Sequence, residues 1–140
     1  MSPFAIDTSA FIAILADEPE AVVFSHHIDD NIDAFVSAAT LHEAFCVASA
    51  ERFHDGRSRL ARMLDLIEPT IVPFDAEQFA VARDAYARYG RGSGHRAGLN
   101  MGDCFAYALA RTRDLPLLYK GDDFVHTDIE PAIAPSGSPR

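Results

Sequence analysis

Apolar residues fall into short runs that alternate with stretches of helical spacing. Phe4-Ala5-Ile6 has the pattern of a buried strand stopping at Asp7-Thr8-Ser9, and Ala10 to Leu15 continues as a helix. Pro19 suits a first helical turn, which predicts a helix over Glu20 to Asp29 with Val22, Val23, Phe24 and Ile28 as apolar positions. Ala34-Phe35-Val36-Ser37 predicts a second strand, followed by a helix to about Phe53 in which Thr40 and Glu43 are spaced as a capping box. Gly56 separates this from a helix over Ser58 to Ile67, whose Leu60, Met63, Leu64 and Ile67 share one face. Pro69 to Phe74 reads as a strand and Asp75 as the cap of a helix from Ala76 to about Tyr89. A glycine-rich basic loop, Gly90 to Arg96, precedes a helix over Met101 to Thr112 and a last strand, Pro116 to Tyr119. From Pro131 onward the chain is rich in proline and serine and is expected to fray.

This alternation predicts the α/β class: a three-layer α/β/α domain whose central parallel sheet has four to five strands joined by right-handed crossovers. The domain is expected to span residues 1–132, with 133–140 as a flexible tail. Functional groups of such sheets collect beyond the carboxyl ends of the strands. Asp7 follows the first strand and Asp122-Asp123 the last, so both reach the same edge.

Composition changes the picture in three places. A chain of 140 residues, 49% hydrophobic and 24% charged, matches one globular domain with a real core. No apolar run approaches the roughly 20 residues of a membrane span, and the start lacks a secretory pattern, so a soluble cytoplasmic protein is expected. Cys46 and Cys104 sit among helical apolar residues and read as reduced core thiols; neither CxxC nor Cys/His metal spacing is visible, and no histidine metal site is expected.

The net charge of −9 is unevenly spread, with nine acids and no Lys or Arg in residues 1–51. Phosphate contacts need cations, so any nucleic-acid function must rest on local basic clusters and bound metal. Arg52, Arg57, Arg59 and Arg62, and the loop residues Arg91, His95 and Arg96, are either backbone-tracking groups or solvated faces. Phe45, Phe79 and Phe105 have core spacing, which favours packing over base stacking. Phe11, Ile12 and Leu15 suit either the core or a homodimer contact.

Four acids carry the candidate chemistry, although each has an ordinary explanation. Asp7 suits a helix N-cap, Glu43 a capping box, Asp103 the positive end of its helix and Asp123 a turn. Together they are more specific, because converging carboxylates raise one another's pKa values unless a cation neutralises them. A hard divalent ion such as Mg²⁺, bound through oxygens and retaining waters, is the natural compensation.

The segments Ile6-Asp7-Thr8-Ser9-Ala10, Ser37 to Glu43, Leu99 to Ala108 (with Asp103) and Leu117 to Phe124 (with Asp123) stand in order, their acids 36, 60 and 20 residues apart. This arrangement resembles PIN-domain ribonucleases of the VapC type, the toxins of toxin-antitoxin pairs, over nearly the whole chain. The resemblance implies Asp7 and Asp103 as principal ligands of Mg²⁺, with Mn²⁺ able to substitute. Glu43 would complete the pocket directly or through water, and Asp123 would be the fourth acid, favoured over the adjacent Asp122. Ser9 suits a bond to a metal-bound water or a plain early-helix position. The implied reaction is hydrolysis of an RNA phosphodiester by a metal-activated water, without a protein nucleophile. Implied partners are RNA, a cognate VapB-type antitoxin covering the pocket, and a homodimer or toxin-antitoxin hetero-oligomer, with no membrane. Two alternatives stay open: an inactive PIN fold that only docks a partner, and a phosphohydrolase with an aspartyl nucleophile. Ser9 opposes the latter, standing where such enzymes carry a second Asp.

Overall fold

The computed structural model describes residues 2–31 and 33–134. The chain forms β1 (Phe4–Ile6), α1 (Thr8–Leu15), α2 (Ala21–Asp30), β2 (Ala34–Ser37), α3 (Ala38–Ala48), α4 (Gly56–Ile67), β3 (Thr70–Val72), α5 (Ala76–Tyr89), α6 (Met101–Arg113) and β4 (Leu117–Leu118), then a 3-10 turn at Phe124–His126. All four strands are parallel, in the order β3-β2-β1-β4. The expected α/β class is therefore observed. The chain steps outward from β1 to β3 and then returns to lay β4 on the other side of β1. That reversal makes the gap between the ends of β1 and β4 the switch point where such sheets hold their sites.

Successive strand residues face opposite sides, which divides the core in two. Ala5 and Leu117 pack with α5 and α6, whereas Phe4, Ile6 and Leu118 pack with the helices α1 to α4. Burying side chains such as Phe4, Phe11, Leu60 and Leu117 stabilises by roughly 1.5–3 kcal/mol each. Phe11 and Leu15 lie within this core rather than on a free face.

Several local expectations change. Ser37, not Thr40, caps α3, its side chain accepting from the Ala39 N–H at 3.2 Å, so Glu43 lies inside the helix and outside any capping box. α3 ends at Ala48, short of Phe53, and Gly56 opens α4 rather than preceding it. A β-carbon on Gly56 would overlap the Ala48 carbonyl oxygen, so glycine permits the close approach of the two helices. Phe105 packs edge-on against Phe74, as core spacing predicts, but Phe79 is exposed beneath the Arg83 guanidinium. Cys104 is buried as expected, whereas Cys46 is exposed on α3.

After the 3-10 turn the chain returns along β4, with Leu117 N–H donating to Glu130 O at 2.9 Å and Ala132 N–H to Leu117 O at 2.8 Å. Ile133 packs against the core on the α1 to α4 side. The remainder of the expected tail, residues 135–140, lies outside the described residues. No described helix is long and apolar enough to cross a membrane.

Candidate active site

Asp7 leaves β1 in extended conformation and caps α1. Its Oδ2 accepts from the Ser9 N–H at 3.0 Å and the Ser9 hydroxyl at 2.6 Å. Ser9 Oγ in turn accepts from the Lys120 N–H at 2.9 Å, which ties the end of β1 to the loop after β4. Asp7 is only 3% exposed. Desolvation pushes its carboxyl up to about 6 despite the Ser9 hydrogen bonds, and the Glu43 charge adds to the rise.

Asp103 stands in the first turn of α6 and forms a capping box with Asn100. The Asp103 N–H donates to Asn100 Oδ1 at 2.8 Å and the Asn100 N–H to Asp103 Oδ2 at 3.0 Å. The Asn100-x-x-Asp103 spacing is the sequence signal for this cap, beyond the helix-end position expected of Asp103. Burial pushes Asp103 up to about 8; the Asn100 N–H opposes this, and Asp7 and Asp123 reinforce it. Asp123 is half-buried, makes no capping bond and is near enough for its side chain and charge to help raise Asp103. Asp122 is exposed, and its charge acts on Tyr119 instead.

Glu43 is half-buried in the second turn of α3. The Thr8 hydroxyl donates to its Oε1 at 2.6 Å, a contact spanning 35 residues that no local pattern announced. A β-carbon on Gly102 would overlap Glu43 Oε2, so the glycine beside Asp103 makes the room that the glutamate occupies. Thr8 and Gly102 both flank motif acids, and that adjacency was the only sequence signal for them.

The four predicted acids thus meet at one edge through three electrostatic links: Asp7 with Glu43, Asp7 with Asp103, and Asp103 with Asp123. Among the described residues none of them is paired with Lys or Arg; the nearby Lys120 binds Glu18 at 3.0 Å and Glu20 at 3.5 Å. The donors are all oxygens, which suits a hard divalent cation. Among the described residues, no group of three or more His, Cys, Asp or Glu side chains is placed so as to hold a metal ion. What the chemistry of the donors does suit is an ion such as Mg²⁺, which binds through only one or two carboxylates, here the buried Asp7 and Asp103, and keeps several waters. The residue two positions beyond Asp7 is Ser9, bonded to Asp7 itself, so the second carboxylate of an aspartyl-nucleophile site is missing there.

Of the basic clusters, Arg59 is committed to structure, its guanidinium donating to Leu15 O at 2.7 Å. Arg52 covers the Phe53 ring at 4.4 Å. An open cavity of about 520 Å³ between α3 and α4, lined by Phe45, Phe53, Arg57 and Ser58 among others, contains none of the four acids.

A sequence model of the PIN domain matches residues 4–130. The chain belongs to the PIN-domain family. Relatives within it include Ribonuclease VapC28 of Mycobacterium tuberculosis, 42% identical over 128 residues covering 91% of this chain and 96% of that protein. Ribonuclease VapC42 of the same species is 44% identical over 128 residues, covering 91% and 97%. The fold is shared with M. tuberculosis VapC20, a sarcin-ricin loop cleaving toxin, at a TM-score of 0.69 and 16% identity over 91% of this chain and 99% of that one. It is also shared with VapBC2 of Rickettsia felis, solved bound to a DNA fragment from its promoter, at a TM-score of 0.69 and 14% identity over 92% and 96%. VapC ribonucleases of this family are metal-dependent.

Proposed function

We propose that this chain is the toxin of a toxin-antitoxin pair, a cytoplasmic Mg²⁺-dependent endoribonuclease held in check by a VapB-type antitoxin. The observation that carries the reading is the convergence of Asp7, Glu43, Asp103 and Asp123 at the switch point without a basic partner among the described residues. The VapC ribonuclease relatives and the shared VapBC fold support it.

Asp7 and Asp103, the two most buried acids among the described residues, would hold the ion. Bound there, Mg²⁺ would supply charge against the phosphate and lower the pKa of water, with Mn²⁺ able to replace it. Glu43, steadied by Thr8, accepts the proton of the attacking water. Asp123 completes the far side of the pocket, and Ser9 keeps the carboxylate of Asp7 aimed inward through two hydrogen bonds. The antitoxin covers this edge and brings positive charge to it.

The purified chain should cleave total cellular RNA with Mg²⁺, stop with EDTA, and lose roughly a hundredfold or more of its activity in a folded Asp7→Asn variant. Equal cleavage by the variant would overturn the site assignment. Inactivity of the folded wild type toward every RNA class with Mg²⁺ or Mn²⁺ would favour a docking module.

A further inference from the structure

Helix α3 carries a pair of soft ligand-type side chains outside the acidic pocket. His42 and Cys46 are four residues apart on α3, hence on one helical face, and both are exposed. Cys46 Sγ lies 3.6 Å from His42 Nε2. Zinc–nitrogen bonds of about 2.0–2.1 Å and zinc–sulfur bonds of about 2.3 Å give a tetrahedral N···S edge of about 3.6 Å. The separation therefore already matches that of two ligands on one ion. We propose that His42 and Cys46 form a bidentate site for a borderline-soft divalent cation of the zinc class, separate from the hard-cation pocket. Such a site departs from the expectation of no Cys/His metal spacing and no histidine metal site, because the pair becomes visible only once a helix places the residues one turn apart.

Binding would form one N–metal and one S–metal bond and release the thiol proton to solvent, with water filling the other two positions. Imidazole and thiolate select such metals, whereas Mg²⁺ prefers oxygen. The second cysteine, Cys104, is buried in the core and does not compete.

Cd²⁺ provides a probe because its thiolate complexes absorb in the ultraviolet. Titrating the full, EDTA-stripped, reduced chain with Cd²⁺ should raise this band to saturation near one equivalent, and Zn²⁺ should erase it while excess Mg²⁺ does not. Cys46→Ser should abolish the band and His42→Ala should weaken binding by roughly tenfold. Asp7→Asn should leave it intact. Both substituted residues are exposed, and unchanged melting curves would establish folding. A band that survives Cys46→Ser, that His42→Ala leaves equally tight, or that disappears in Asp7→Asn would overturn the proposal, as would the absence of any band in the wild-type chain.

Discussion

Buried polar groups occur in two regions of this molecule, and the contrast between them is instructive. In the seam between α5 and α6, Gln78 Nε2 donates to Thr112 Oγ1 at 2.6 Å, and the Thr112 hydroxyl donates to Ala108 O at 2.8 Å. The groups are neutral and largely satisfy one another, with only the Gln78 side-chain oxygen lacking a partner. At the carboxyl edge of the sheet the buried groups are Asp7, Thr8, Ser37, Thr40 and Asp103, two of them carboxylates pushed upward in pKa by burial and by each other. A self-satisfied network holds the fold together, whereas an unneutralised one is a local cost retained for what it binds.

The largest test of this contrast is the pH dependence of the metal-free protein. Asp7 and Asp103 have folded pKa values, about 6 and about 8, above the unfolded value near 3.8. For acids shifted in this direction the fold favours the protonated form. The associated stability is thus fully present below about pH 4 and is lost as pH rises through the folded values. Thermal melts in EDTA should show stability falling between about pH 4 and pH 8, by about 3 kcal/mol from Asp7 alone at roughly 1.4 kcal/mol per pKa unit. Mg²⁺ at pH 8 should restore it, and Asp7→Asn with Asp103→Asn should flatten the profile while abolishing cleavage. A wild-type curve parallel to that of the double variant would remove the distinction between the two regions.

The next test separates the site from the fold within one residue. A β-carbon at position 102 meets the end of the Glu43 side chain, which can swing away, rather than backbone. Alanine also favours helix over glycine by about 1 kcal/mol. Gly102→Ala should therefore melt no lower than the wild type yet lose roughly tenfold in cleavage, because it displaces Glu43 from Thr8. Unchanged activity would mean that the position of Glu43 is unimportant.

These positions also show what a sequence can convey. Asp75 capping α5 and Asp7 ending β1 follow from local rules, and the alternation of strands with helices was enough to bring Asp7 and Asp123 to one edge. Thr40 and Glu43 satisfied a local capping rule too, but Ser37 begins the helix three residues earlier, so tertiary contact with Thr8 decides where Glu43 goes. The bond from Thr8 to Glu43 and the space above Gly102 both depend on the packing of distant helices, to which periodicity is blind.

The smallest expected effect lies in the seam and serves as the control. Thr112→Val keeps the shape of the side chain but removes the partner of the Gln78 amide, leaving both polar ends of a residue that is 3% exposed without a hydrogen bond. The loss should be about 1–2 kcal/mol in denaturant unfolding, and RNA cleavage per folded molecule should not change. Adding Gln78→Met to Thr112→Val removes the stranded groups together and should recover most of that stability, since apolar replacements of both partners are nearly neutral. The same treatment fails at the sheet edge, where neutralising both carboxylates would stabilise the metal-free chain and end its activity. If the seam variants instead lost cleavage in step with stability, the seam would be part of the site, and the two regions would have to be treated as one network.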